Sequence, residues 1–152
     1  MKEYLDNVKN ELKRVDHLLY VSLKYTRTVD VLMNCIGRMI DAYNCLIDSL
    51  LKYAVEKKMR KEEHLPTTPL ERGDVVRELF KDDIVQKNME LYFLLRKIHK
   101  TNPKKEQEFR RHVTLRTMID EKEIIVDIDK ATEYYDIIKE FYEWIDAKIN
   151  ET

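Results

Sequence analysis

Apolar residues recur at helical spacing over most of the chain. Leu5, Val8, Leu12, Val15 and Leu19 fall at three- and four-residue steps and predict one amphipathic helix from about Lys2 to Lys24. A second helix, from about Val29 to Arg60, has a broader apolar face that includes Leu32, Ile36, Met39, Ile40, Tyr43, Leu46, Ile47, Leu50 and Ala54. That breadth marks it as the central helix. Its polar positions are ordered as well, with Asn34, Asp41 and Asp48 repeating every seven residues beside Arg38 and Lys52. They read as an outward, solvated face. Were the stripe to face another helix instead, Asp41 would need a cationic partner such as Arg96 or Arg111, because an unpaired buried carboxylate is costly.

The run His64-Leu65-Pro66-Thr67-Thr68-Pro69-Leu70-Glu71 interrupts this pattern. Thr68 stands as N-cap, Pro69 as first helical residue and Glu71 as third, the spacing of a capping box. A short helix to Phe80 follows, and Lys81-Asp82-Asp83 opens another over about Ile84 to Lys100, stopped by Asn102-Pro103. The period then changes. Val113–Ile119 and Ile124–Ile128 are rich in β-branched residues and flank Asp120-Glu121-Lys122-Glu123, which predicts a β-hairpin with a four-residue loop. Such a ribbon must pack on helices to be stable. Asp129 is placed to cap a last helix whose stripe is Tyr134, Ile137, Ile138, Phe141, Trp144, Ile145 and Ile149. The expected fold is a single, mainly α domain over residues 1–152, an antiparallel bundle of about five helices with a small β-hairpin before the last.

Composition narrows the chemistry. Two glycines in 152 residues leave no room for a Gly-rich phosphate loop or a dinucleotide fingerprint. Cys35 and Cys45, ten residues apart on one helix, are separated by ~15 Å, too far for a disulfide. They read as small core residues. No carboxylate or histidine cluster has metal-ligand spacing, so neither metal nor cofactor is expected. The N-terminus lacks the apolar core of a secretory signal and no 18-residue apolar run occurs, so a cytoplasmic protein without a membrane role is expected.

Charge is unevenly spread. The total is −1, from 28 basic and 29 acidic residues, and residues 1–95 balance at zero. Residues 96–116 carry Arg96, Lys97, Lys100, Lys104, Lys105, Arg110, Arg111 and Arg116 against Glu106 and Glu108, a net +6. Residues 117–152 carry a net −7. The basic window also holds His99, His112 and Phe109. Cations interleaved with an aromatic suit a nucleic-acid strand, through phosphate contacts and base stacking. The competing account is an internal charge match between the basic window and the acidic last helix, in exposed pairs contributing ~0–1 kcal/mol each.

Of the four histidines, His17 and His64 read as surface residues. His99 and His112 have cationic neighbours that favour neutral imidazole, the form a general base needs. The nine tyrosines mostly sit at helical spacing and read as core. Tyr20 and Tyr25, close to Arg27 at the first interhelical connection, are placed to project into a groove instead.

The order of elements resembles that of HEPN (higher eukaryote and prokaryote nucleotide-binding) domains. The likeness spans most of the chain: two long antiparallel helices, the second written Val31-Leu32-Met33-Asn34-Cys35-Ile36-Gly37-Arg38-Met39-Ile40-Asp41-Ala42-Tyr43, then shorter helices and a basic Arg/His segment. The resemblance implies a helical bundle and a homodimer. It also implies either a metal-independent RNase, an RNA-binding module or a partner of a nucleotidyltransferase. The family's RNase motif is an Arg, four to six residues, then a His. Here Arg96 is followed by His99 after two residues, and Arg110-Arg111 directly by His112. The leading expectation is therefore a non-catalytic RNA- or nucleotide-binding protein. Its phosphate contacts would come from Arg96, Lys97, Lys100, Lys104, Lys105, Arg110, Arg111 and His112, with His99 beside them and Asp41 orienting an Arg. One alternative is an RNase with a rearranged site, in which His99 or His112 is the acid/base and Arg96 or Arg111 stabilises the transition state. Another is a dimeric protein-interaction module with an isologous interface and no nucleic-acid role.

Overall fold

The computed structural model describes residues 2–151. Helix α1 (Lys2–His17) continues through a π-turn (Leu18–Ser22) into the short α2 (Leu23–Tyr25). The cause is legible in the stripe. Its three–four alternation relaxes to two four-residue steps, Val15–Leu19–Leu23, and the wider i→i+5 turn keeps all three buried. Helix α3 (Val29–Glu56) is central, packing against α1, α4 (Pro69–Leu79), α5 (Asp83–His99) and α6 (Ile128–Asn150). Leu32, Ile36, Met39, Tyr43, Leu46 and Leu50 are fully buried along it. The core centres on Tyr43, which meets Tyr92 edge-on at 5.5 Å and Phe141 at 6.3 Å. Cys35 is buried and Cys45 half-buried, both as free thiols.

Helix α3 stops four residues before the expected Arg60. The Lys58 N–H bonds the Val55 carbonyl and the Met59 N–H that of Ala54, a Schellman closure with Lys58 at φ 60°. A lysine stands where glycine is usual, so the sequence carries no visible stop signal. A one-turn 3₁₀ segment, Glu62–His64, follows. At α4 the capping box does not close. Thr68 is the N-cap and Pro69 the first residue, but the Thr68 side chain makes no cap bond. Its carbonyl receives the Arg72 N–H at 3.0 Å, and Glu71 faces solvent.

The hairpin is present and larger than expected. Strands β1 (Lys104–Glu106), β2 (Thr114–Ile119) and β3 (Lys122–Val126) form an antiparallel sheet in the order β1-β2-β3. The loop between β2 and β3 has two residues rather than four: Asp120 and Glu121, both left-handed at φ 50° and 67°, the backbone of a type I′ turn. Leu115, Thr117 and Val126 point inward, with β2 resting on α3 and α5 and β3 on α6. The cap of α6 is Asp127, whose Oδ1 accepts the Lys130 N–H at 2.7 Å, rather than Asp129 in the first turn. Among the described residues no helix is long and apolar enough to cross a membrane.

Candidate nucleic-acid interface

The basic window divides among three settings. At the end of α5, Arg96 and His99 lie on the side facing α3. The Arg96 guanidinium stacks over the Tyr92 ring at 5.6 Å, and its Nε is buried without a hydrogen bond. Tyr92 donates its hydroxyl to Asn44 Oδ1 at 2.6 Å. Burial raises the Tyr92 phenol above its ordinary pKa, with the nearby Arg96 charge opposing that rise. One turn further on, the exposed His99 ring covers Gly37. The expected partner of Arg96 is not there: Asp41 is exposed and its ion pair is with Arg38, at 3.8 Å. Asp41 does not pair with Arg111 either, and it faces outward as the stripe reading had it.

A second group is neutralised within the chain. Lys97 pairs with Asp120 at 2.6 Å and Lys105 with Asp30 at 3.3 Å, while Arg116 is held between Glu106 and Glu123. These cations are matched within the chain, but not by the acidic last helix as the charge pattern suggests: the acids are Asp120 and Glu123 of the hairpin, Asp30 at the start of α3 and Glu106 from the basic window itself, and α6 takes no part in these pairs.

The third group is the loop 107–112. Its base is fixed twice to the start of α3. Glu108 Oε2 accepts the Val29 N–H at 3.1 Å, beside Thr28, whose hydroxyl accepts the Val31 N–H at 3.3 Å. A carboxylate there also answers the positive end of the helix dipole. The Phe109 N–H then donates to the Arg27 carbonyl at 2.5 Å. Pinned so, Gln107 and Phe109 adopt left-handed backbones, φ 54° and 63°. The Phe109 ring is 74% exposed, and Tyr25, two residues before its anchor Arg27, is 78% exposed. Arg110, Arg111 and His112 follow Phe109, all exposed, and with Lys100 and Lys104 they form no ion pair among the described residues.

The sites are separate along α3. Eight residues, ~12 Å of helix, divide Val29 under the loop from Gly37 under His99. Arg96 and His99 therefore belong to one place, and Arg110, Arg111 and His112 to another. Sequence reasoning missed a fourth feature, a cleft between α1 and α3 lined by Lys13, Arg14, His17, Leu18, Asn34 and Arg38. Its one sequence signal is the four–four spacing that makes the π-turn. Among the described residues, no three His, Cys, Asp or Glu side chains gather as metal ligands would.

These features define a class and nothing narrower: a mainly α bundle whose basic, aromatic-bearing loop is fastened to the N-terminus of its central helix. The chain matches no family model, no curated protein and no solved structure.

Proposed function

We propose that this protein is a non-catalytic, HEPN-like RNA-binding module that takes single-stranded RNA on the loop 107–112. The observation that carries the reading is Phe109. Its side chain is largely in solvent and its backbone is left-handed, a conformation costing a bulky L-residue ~1–2 kcal/mol. Folding gains nothing from holding an aromatic side chain out this way, and strain of this kind collects where function demands it. A free ring followed by Arg110, Arg111 and His112 suits base stacking with adjoining phosphate contacts. Lys100 and Lys104, exposed and without an ion pair among the described residues, add cations from the same basic window. Homodimerisation and a nucleotidyltransferase partner follow from the family resemblance and are part of the same proposal.

Fluorescence anisotropy with a labelled single-stranded RNA at low salt tests it. Phe109→Ala should weaken binding by ~1–3 kcal/mol, roughly 5- to 150-fold. Arg110→Ala with Arg111→Ala should make the log–log salt slope shallower by ~1.4, at ~0.7 per phosphate contact. Binding that is absent at low salt, or indifferent to both changes, refutes the reading. Light scattering tests the dimer.

A rearranged RNase is the second reading. It draws on the buried, unbonded Nε of Arg96 one turn from His99. Metal-free RNA cleavage lost in His99→Ala would establish it over the first.

A further inference from the structure

The sheet has two outer edges, and the chain treats them differently. Strand β1 is three residues long, follows Pro103 and carries Lys104 and Lys105, with Lys105 tied to Asp30 at 3.3 Å. Short edges bearing lysine resist the addition of another strand. Strand β3, Lys122-Glu123-Ile124-Ile125-Val126, is longer and shows an apolar side chain to solvent. Ile125 is 45% exposed on the outer face, and Met118, its diagonal neighbour on β2, is 58% exposed.

The register fixes which backbone groups that edge offers. The type I′ turn closes on the Ile119–Lys122 pair, and bonded pairs alternate along an antiparallel ladder. Lys122, Ile124 and Val126 therefore bond to β2, while the N–H and C=O of Glu123 and Ile125 point away from it. Among the described residues, no backbone bond outside the sheet reaches either. Glu121, Glu123, Asp127 and Asp129 lie along the strand or at its ends, against Lys122 and Lys130. Arg116 holds Glu123 and Glu133 holds Lys130, whereas Glu121 and Asp129 form no ion pair among the described residues.

We infer that the free edge of β3 receives an extended, basic peptide segment of a partner protein as a fourth, antiparallel strand. In this mode of recognition main-chain bonds supply affinity and alternate side chains supply selectivity. The residue opposite Ile125 is apolar, and those opposite Glu121, Glu123 and Asp127 are Lys or Arg. A second copy of this chain does not suit the edge. Two-fold pairing centred on Glu123, Ile124 or Ile125 sets Glu123 against Glu123, Glu121 against Asp127, or Glu123 against Asp127. Like charges directly opposite one another are destabilising. Nothing in this site depends on the loop 107–112 or on RNA.

Amide hydrogen exchange of the full chain, read residue by residue by NMR, tests the inference with the peptide acetyl-Lys-Thr-Val-Val-Lys-Thr-Lys-amide. Its lysines meet Asp127, Glu123 and Glu121 when its first valine lies opposite Ile125. Without peptide, the Glu123 and Ile125 amides should exchange fast while β2 protects Ile124 and Val126. Saturating peptide should slow the first two at least ten-fold, and the same peptide with glutamate for every lysine should not. Ile125→Pro removes an outward N–H without touching a bond to β2, a change that edge strands tolerate. It should weaken binding at least ten-fold, with continued protection of Ile124 and Val126 reporting an intact sheet. Glu121→Asn keeps a residue suited to the left-handed turn and removes one charge, so it should weaken binding by up to ~5-fold. Phe109→Ala should leave binding unchanged, so failure of this edge and failure of the loop are distinguishable. No added protection of Glu123 and Ile125, equal binding of the glutamate peptide, or wild-type affinity in Ile125→Pro overturns the proposal. Protection that arises without peptide and grows with protein concentration assigns the edge to a second copy and overturns it as well.

Discussion

The imidazole Nε2 of His99 lies 3.0 Å from the point a Cβ would occupy at Gly37. The other glycine, Gly73, has a similar neighbour: Phe93 Cε1, also at 3.0 Å, with Cζ at 3.1 Å and the Tyr92 ring at 3.5 Å. The distances match but the neighbours do not. His99 is an exposed side chain at the end of its helix, free to swing, whereas Gly73 is buried against two packed aromatic rings.

Opposite signs follow for the two Gly→Ala changes. Gly37→Ala should gain up to ~1 kcal/mol of helix propensity while displacing the His99 ring. Gly73→Ala gains the same propensity but overpacks the α4–α5 contact at a cost of ~1–3 kcal/mol, for a net loss. Urea denaturation measures both. A Gly37→Ala protein less stable than wild type would show that the His99 ring is locked. That outcome would strengthen the case for the Arg96/His99 pair as a built site.

The Tyr43 hydroxyl donates to Asn88 Oδ1 at 2.8 Å inside the core, and Asn88 Nδ2 donates to the Ile84 carbonyl at 2.8 Å. Both residues are essentially inaccessible to solvent. Tyr43→Phe keeps the ring packing but leaves the amide oxygen buried without its donor, which should cost ~1–3 kcal/mol. Asn88→Ala also removes the side-chain bond to the Ile84 carbonyl within α5 and opens a space, so it should cost more. Thermal melts order the two, and a neutral Tyr43→Phe would mean that water replaces the hydroxyl.

Lys58 and Glu121 occupy left-handed backbone positions where glycine is the usual residue. Each substitution to glycine removes a Cβ clash worth ~1–2 kcal/mol, offset in part by the freer unfolded chain. A net gain of up to ~1 kcal/mol is expected at each, or ~2–4 °C in melting temperature for a domain of this size. Glu121→Gly leaves the Asp120–Lys97 pair in place and produces the Asp-Gly sequence favoured in type I′ turns. A fall in melting temperature would contradict the assigned backbone at that position.

These same positions mark where the sequence stopped being legible. Helix faces are readable because burial repeats: the stripes of α1, α3 and α6 predict buried residues with few exceptions. Endings are less so. With two glycines in the chain, lysine closes α3 and aspartate-glutamate turns the hairpin, so neither carries its usual signature. Strand β1, written Lys-Lys-Glu, has no β propensity of its own and is held by pairing with β2. At the candidate site, the sequence marked the cations but not their fates. Lys97, Lys105 and Arg116 are paired within the chain, and nothing local to the window names Asp30 as a partner. Long-range packing decides such pairings, and it also set the α1–α3 cleft beyond reach.

Burial acts in one direction on several acidic protons, and alkaline stability is the consequence. The Cys35 thiol is pushed up to about 12 by burial, from 9.0. The Tyr135 phenol is also raised to about 12, by burial first and then by the carboxylate of Asp16. Tyr43, Tyr92, Tyr134 and Tyr142 are raised as well, burial leading in each. A folded pKa above the unfolded value means that the native state holds its proton longer. The stabilisation is therefore complete below about pH 9, where the unfolded thiol begins to ionise, and is lost as pH climbs toward 12. Each group contributes a slope of at most ~1.4 kcal/mol per pH unit within its window. The urea midpoint should stay level from neutrality to about pH 9 and then fall continuously, and Cys35→Ala should flatten the first part of that fall. Thiol labelling provides an independent check. Cys45, half-buried and raised by burial and then by Asp48, should react in the native state because it reaches solvent, while Cys35 should wait for unfolding. Equal labelling rates for the two thiols would place Cys35 outside the core and remove this account of the alkaline limb.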